Sequence, residues 1–264
     1  LTPRPPRFAG KVALITGSSR GLGRAIGIGL AKEGATVVLN SSRTPFDGAV
    51  VASEVNDAGG KAIYVQADVS REEDVEQIAQ LIEKRFGRMD IVIHSAADGL
   101  ESRTQDVDWP GFERTFRLNS YALVSLASSF APLMSEGKIL YISSFGAERA
   151  VPGYGVVGAS KAAGEALVRS LAMELAPTVQ VNGVRPAILP TVSLRAFSLA
   201  DEFLEMAERE APMGTGSIGN VVDCALFLCS SEADFITGQV VPVDGGMGTT
   251  VFRKSWIVEE ASSA

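Results

Sequence analysis

The residues best suited to chemistry lie in "PGYGVVGASK", residues 152–161, where Tyr154 stands seven positions before Lys161. Seven residues make close to two helical turns, so on a helix the two side chains share a face, one turn further apart than a pair spaced by four. A phenol is a proton and hydrogen-bond donor of the kind used in general acid catalysis. A second cluster, "TGSSRGLG" from Thr16 to Gly23, joins the apolar run "KVALIT" to the amphipathic segment "GLGRAIGIGLAKEG". Gly17, Gly21 and Gly23 permit a tight turn and a close backbone approach, and the free N–H groups of a helix start favour a pyrophosphate.

These residues need a scaffold, and the remaining sequence describes one. The segments "ATVVLN", "KAIYVQAD", "MDIVIHSAA", "KILYISS", "VQVNGVRPA" and "GQVVPVDGG" read as further strands, while residues 46–58 and 71–86 read as helices. Apolar strands alternating with helices call for a parallel sheet covered on both faces. The expected fold class is therefore α/β, a Rossmann-type doubly wound sheet in a single domain spanning residues 11–250. Residues 1–10, with three prolines, read as a surface arm, and residues 251–264 as a tail in which Phe252 and Trp256 cover a neighbour. Residues 189–216, rich in Leu, Phe, Met and Glu, break the rhythm after a strand's C-terminal end, where such sheets bind ligands. They read as a substrate lid, with an ordinary helical connection as the alternative.

Composition narrows the function classes. A chain of 264 residues with 46% apolar content buries one substantial core. No apolar run approaches the roughly 20 residues needed to cross a bilayer, and none at the start resembles a signal peptide, so the expectation is a cytoplasmic protein with no membrane partner. Cys224 and Cys229 lie five apart, a spacing that suits neither a metal site nor a redox pair, and read as core or groove residues. His94 is the sole histidine, which leaves little material for a metal centre or a Ser-His-Asp triad. A net charge of −7 without clustered Lys and Arg argues against nucleic acid.

Five segments in order resemble the short-chain dehydrogenase/reductase family: "TGSSRGLG", "ADV" with Asp68, "HSAA" at 94–97, "RPAILPT" at 185–191 and "VDGG" at 243–246. Ser95 and Ala187 depart from the family pattern, which usually has Asn and Gly there. The resemblance implies a nicotinamide cofactor held by Gly17, Ser19, Arg20, Gly21, Leu22, Gly23, Asp68, Val69, Ser95, Ala96, Lys161, Pro186, Ile188 and Thr191. Family members that prefer NAD carry an acid after the second strand; here Asn40, Ser41, Ser42 and Arg43 stand there, with Arg20 nearby. Two guanidiniums and no carboxylate suit a 2′-phosphate, so the expected cofactor is NADPH, with Ser42 and Arg43 among its contacts.

Most ketone-reducing members use Tyr-x3-Lys, with a serine thirteen residues before the tyrosine. Counting back from Lys161, those slots are Val157 and Ser144. Valine has no proton to give. Tyr-x6-Lys is the spacing of enoyl-acyl-carrier-protein reductases, and "YGVVGASKAAGEALVRSLAMELAP" is similar to the FabL-type branch. The resemblance implies that Tyr154 stabilises an enolate oxygen, that Lys161 holds the nicotinamide ribose and eases proton transfer, that Asn119 anchors a water chain to Lys161, and that Ser144 lines the site. The implied substrate is an enoyl thioester on acyl carrier protein or coenzyme A, met by Arg149 or Arg195, with an acyl pocket walled by Leu194, Phe197, Leu199, Phe203, Leu204 and Met206. A homotetramer is expected by the same analogy, with Ala162, Ala163, Gly164 and Ala166 permitting close helix contact. A noncanonical ketoreductase and a silent NADPH-binding partner subunit are the alternative readings.

Overall fold

The computed structural model describes residues 6–249 apart from 100 and 193, so the expected tail lies outside the described residues. The chain runs β1 (Val12–Ile15), α1 (Gly21–Lys32), β2 (Thr36–Ser41), α2 (Pro45–Asp57), β3 (Lys61–Gln66), α3 (Glu72–Phe86), β4 (Ile91–His94), α4 (Trp109–Phe116) and α5 (Ala122–Phe130). It continues through β5 (Gly137–Ile142), α6 (Gly155–Leu175), β6 (Val179–Pro186), α7 (Ala200–Glu210), α8 (Ile218–Cys229) and β7 (Val240–Val243). All seven strands pair in parallel in the order β3-β2-β1-β4-β5-β6-β7. The order reverses between β1 and β4, which opens a crevice at their C-terminal ends.

Burial explains the strand compositions. β1, β4 and β5 are buried along their whole length, as expected of central strands covered on both faces, whereas the edge strand β3 is partly exposed. One core, under α1, α2 and α8, gathers Ile26, Leu30, Val51, Leu140 and Leu226; the other, under α3, α5 and α6, gathers Val75, Ile78, Leu126, Tyr141 and Val168. α3 also has good local chemistry. Glu72, Glu73 and Asp74 open it, Lys84 and Arg85 close it, and Gly87 stops it at φ 67°.

The described part of the expected surface arm, residues 6–10, is anchored rather than loose on the surface. Phe8 is buried in the first core, its N–H bonds to the Glu33 carbonyl at 2.9 Å, and Arg7 Nε pairs with the Glu33 carboxylate at 2.5 Å. The prolines hid an anchor.

Candidate active site

The glycine loop is shaped by close backbone approach. A Cβ on Gly17 would lie 2.7 Å from the Cα of Ala96, and one on Gly23 would lie 2.5 Å from the Gly17 carbonyl oxygen. Gly17 and Gly21 have φ of +65° and +58°, the left-handed region where other residues are strained. A Cβ on Gly21, which lines the cleft, would meet nothing within 4 Å. The missing side chain leaves room at the start of α1 for a phosphate-bearing group, which fits a dinucleotide.

The loop is tied to β4 by Thr16. Its Oγ1 accepts from the backbone N–H groups of Ser95 at 3.1 Å and Ala96 at 3.0 Å, so its own proton goes to Nδ1 of His94 at 3.1 Å. His94 Nε2 then donates to the Leu118 carbonyl at 3.0 Å. Burial, with a further push from the Lys161 charge, holds this imidazole down to about 3. His94 thus sits as a neutral spacer beside Tyr141.

Every residue expected to hold the cofactor lines one cleft of about 430 Å³, together with Tyr154 and Ser144. At its far end, Asn40 donates to the carbonyls of Val65 and Ala67 at 3.1 and 3.0 Å, fixing the end of β2 to β3. Arg20 and Arg43 are exposed on the cleft wall, and neither makes an ion pair among the described residues. Asp68 accepts from the Ser70 hydroxyl at 2.8 Å and the Ser70 N–H at 3.1 Å, which sets the turn after β3.

At the near end, Ser144 follows β5 and its Oγ accepts from the Gly146 N–H at 3.3 Å, capping a short 3-10 turn over Phe145–Ala147. Gly146 and Gly158 let that turn lie against α6, because a Cβ on Gly158 would lie 2.4 Å from the Gly146 carbonyl. Tyr154 stands at the N-cap position, one residue before α6, and its carbonyl accepts the first helical bond from Gly158 at 2.7 Å. Tyr154 and Lys161 both line the cleft, although Tyr154 is outside the helix proper. Burial raises the Tyr154 phenol above its ordinary value, and the Ser144 hydroxyl pulls it back in part. Val157, in the other slot, is buried at 1% exposure.

Lys161 is buried, and its Nζ donates to the Ile142 carbonyl at 2.8 Å. Burial brings its amine down to about 8. Asn119 lies behind the cleft wall, in a π-helical turn (Arg117–Tyr121) between α4 and α5. Its side chain accepts from the Asp98 N–H at 2.8 Å and donates to the Asp98 carbonyl and the Ser160 hydroxyl at 3.1 and 3.0 Å. The Asn119 backbone carbonyl accepts from the Tyr141 hydroxyl at 2.7 Å.

The expected lid consists of a 3-10 turn (Leu194–Ala196) followed by α7. Leu194, Phe197 and Phe203 line the cleft, and the Phe197 ring lies 5.6 Å from that of Tyr154. Leu204 and Met206 pack instead into a small cluster with Ile188, Ala207 and Met247, while Leu199 is 39% exposed. Phe145 and Val151 join the apolar wall. Sequence reading missed them, although both flank the serine and tyrosine positions. Arg149 is held by the Gly248 carbonyl, and Arg195 lies exposed 3.8 Å from Asp201. Gly164 faces inward against Tyr141, which corrects its reading as a helix-contact residue.

The family model described as "Enoyl-(Acyl carrier protein) reductase" matches residues 17–248. The chain belongs to the short-chain dehydrogenase/reductase family. As an oxidoreductase of this type, it is 34% identical over 242 residues to the 1-cyclohexenylcarbonyl-CoA reductase of Streptomyces collinus, covering 90% of this chain and 86% of the relative. Enoyl-[acyl-carrier-protein] reductase [NADH] FabI of Aquifex aeolicus is 34% identical, covering 90% of this chain and 91% of that protein. A 7 alpha-hydroxysteroid dehydrogenase complexed with NADH and 7-oxo glycochenodeoxycholic acid superposes with a TM-score of 0.86 at 30% identity, covering 92% of this chain and 96% of that one. Family members among these relatives therefore include reductases of enoyl thioesters and a dehydrogenase of a steroid alcohol.

Proposed function

We propose that the protein reduces the carbon–carbon double bond of an enoyl thioester, using NADPH. The observation that carries this reading is the phenol in the cleft: it belongs to Tyr154, while Val157 is buried in the slot from which ketone-reducing relatives donate. A bound dihydronicotinamide supplies a hydride, which in an enoyl thioester adds to the β-carbon. Negative charge then collects on the thioester oxygen, three bonds away, rather than on an atom next to the reacting carbon. A donor moved back along α6 answers that displacement. Tyr154 donates to this oxygen and stabilises the enolate, Lys161 favours that donation by its charge, and Ser144 lines the site beside the phenol.

Phe197, Leu194, Phe203 and Val151 exclude water from the near end and give an acyl chain an apolar wall. At the far end, Arg20 and Arg43, which make no ion pair among the described residues, suit a 2′-phosphate, which favours NADPH over NADH. Coenzyme A and acyl carrier protein are both compatible carriers, and the working unit in this reading is a homotetramer.

Carbonyl reduction is the second reading, favoured by the likeness to the hydroxysteroid dehydrogenase. Oxidation of NADPH with a short enoyl-CoA and, in parallel, a β-ketoacyl-CoA separates the two. Enoyl turnover that collapses in Tyr154→Phe supports the proposal; turnover confined to the ketone sinks it.

A further inference from the structure

β5 is buried at every position, and its alternate residues face opposite cores: Leu140 and Ile142 face one, Ile139 and Tyr141 the other. Tyr141 is fully buried and lies at the back of the active site. Its ring is 5.0 Å from Lys161 Nζ, its hydroxyl donates to the Asn119 carbonyl at 2.7 Å, and the His94 ring lies 5.8 Å away. Gly164, one turn along α6 from Lys161, makes the space: a Cβ there would lie 2.2 Å from the Tyr141 oxygen. The phenol and the glycine fit each other.

We propose that Tyr141 is a positioning residue that closes the inner side of Lys161, so that the lysine meets water and exchanges protons only through the cleft holding Tyr154. An aromatic face attracts the ammonium without offering it a proton acceptor. The hydroxyl is no relay either, since it is spent on the Asn119 carbonyl and burial raises it far above its ordinary value. The other titratable groups around Lys161 and Tyr141 are His94 from β4, Tyr154 from the turn before α6 and Glu165 from α6; Glu165 is already bound to Arg185 at 2.6 Å and to the Ser143 hydroxyl at 2.6 Å. The lowered amine has burial as its cause, and the Tyr141 ring supplies part of that burial.

Removing the ring leaves a polar-lined space beside an amine and a carbonyl, which water fills. Water solvates an ammonium better than a ring face does, so the lysine moves back toward its ordinary range. The inference rests on the site reading above for its catalytic consequence, but not for its measurement. In full-length protein labelled with 13C-lysine, the Lys161 resonance, assigned by its loss in Lys161→Arg, is titrated in wild type, Tyr141→Ala and Tyr141→Phe. The expected result is a midpoint raised by about one pH unit or more in Tyr141→Ala, with Tyr141→Phe close to wild type. The alkaline limb of turnover should move with it. An unmoved midpoint in Tyr141→Ala, or an equal shift in Tyr141→Phe, overturns the proposal, and a merely structural tyrosine would lower stability without moving either. Should the alanine variant not fold, Tyr141→Thr opens the same space and carries the same prediction. Undiminished turnover in Lys161→Arg and in Lys161→Ala would sink the site reading alone, because the amine titration still reports on the seal.

Discussion

Lys161 carries its charge where burial opposes one, and that conflict gives the site its pH dependence. In the proposed reaction the protonated amine is the form that helps Tyr154 donate, so turnover should fall as pH rises through about 8 and hold below it. A pH–rate profile over the alkaline range checks this. Tyr154→Phe removes the proposed donor and should lower kcat at least about 100-fold with little change in cofactor affinity. Arg43→Ala should raise the Kd for NADPH about tenfold and leave NADH unaffected, since one charge-assisted contact to a 2′-phosphate is lost. His94 behaves in the opposite sense to a catalytic base. With its folded value at about 3, below that of an unfolded histidine, the unfolded chain binds more protons between those limits. Stability is therefore full above pH 6.5 and falls on acidification by about 1.4 kcal/mol per unit from this residue alone, which urea unfolding at pH 6 and pH 5 would read. The presence of Tyr154 and Lys161 in one cleft was legible from their spacing, because it is a local property of one segment. Tyr141 was read only as part of a strand. Its partners, Lys161, Gly164 and Asn119, come from two other elements, and no local pattern joins them to β5.

At the scale of elements, the seven strands were legible because each is a short apolar run bounded by turn residues, and the central ones lack the alternation of a one-sided sheet. Phe8 was not, because its three prolines signal extended chain without saying what lies beneath it. The π-helical turn over Arg117–Tyr121 also escaped notice, since it differs from an α-helix by a single hydrogen-bond register. Glycines at element contacts give sharp predictions here. A Cβ on Gly146 would lie 2.5 Å from the Tyr154 ring, so Gly146→Ala should displace the phenol and lower kcat more than it lowers stability. Gly23→Ala places a Cβ against the Gly17 carbonyl and should weaken NADPH binding at least about tenfold, measured by fluorescence titration.

For the whole molecule, the cleft spans the sheet from β2 to the lid, so a bound dinucleotide would bridge distant elements. NADPH at about 100 times its Kd should raise stability by about 2.7 kcal/mol, visible as a higher unfolding temperature than NADH gives at the same concentration. No described helix is long and apolar enough to cross a membrane. The small cluster of Ile188, Phe203, Ala207, Ala211 and Met247 is separate from the two cores that sandwich the sheet. A segment with a core of its own can open while the rest stays folded, so backbone amides of Ala200–Glu210 should exchange with deuterium faster than those of β5 and through an opening that leaves the sheet protected. Substrate entry and local unfolding would then be two amplitudes of the same motion, and a substitution that tightens this cluster would slow both.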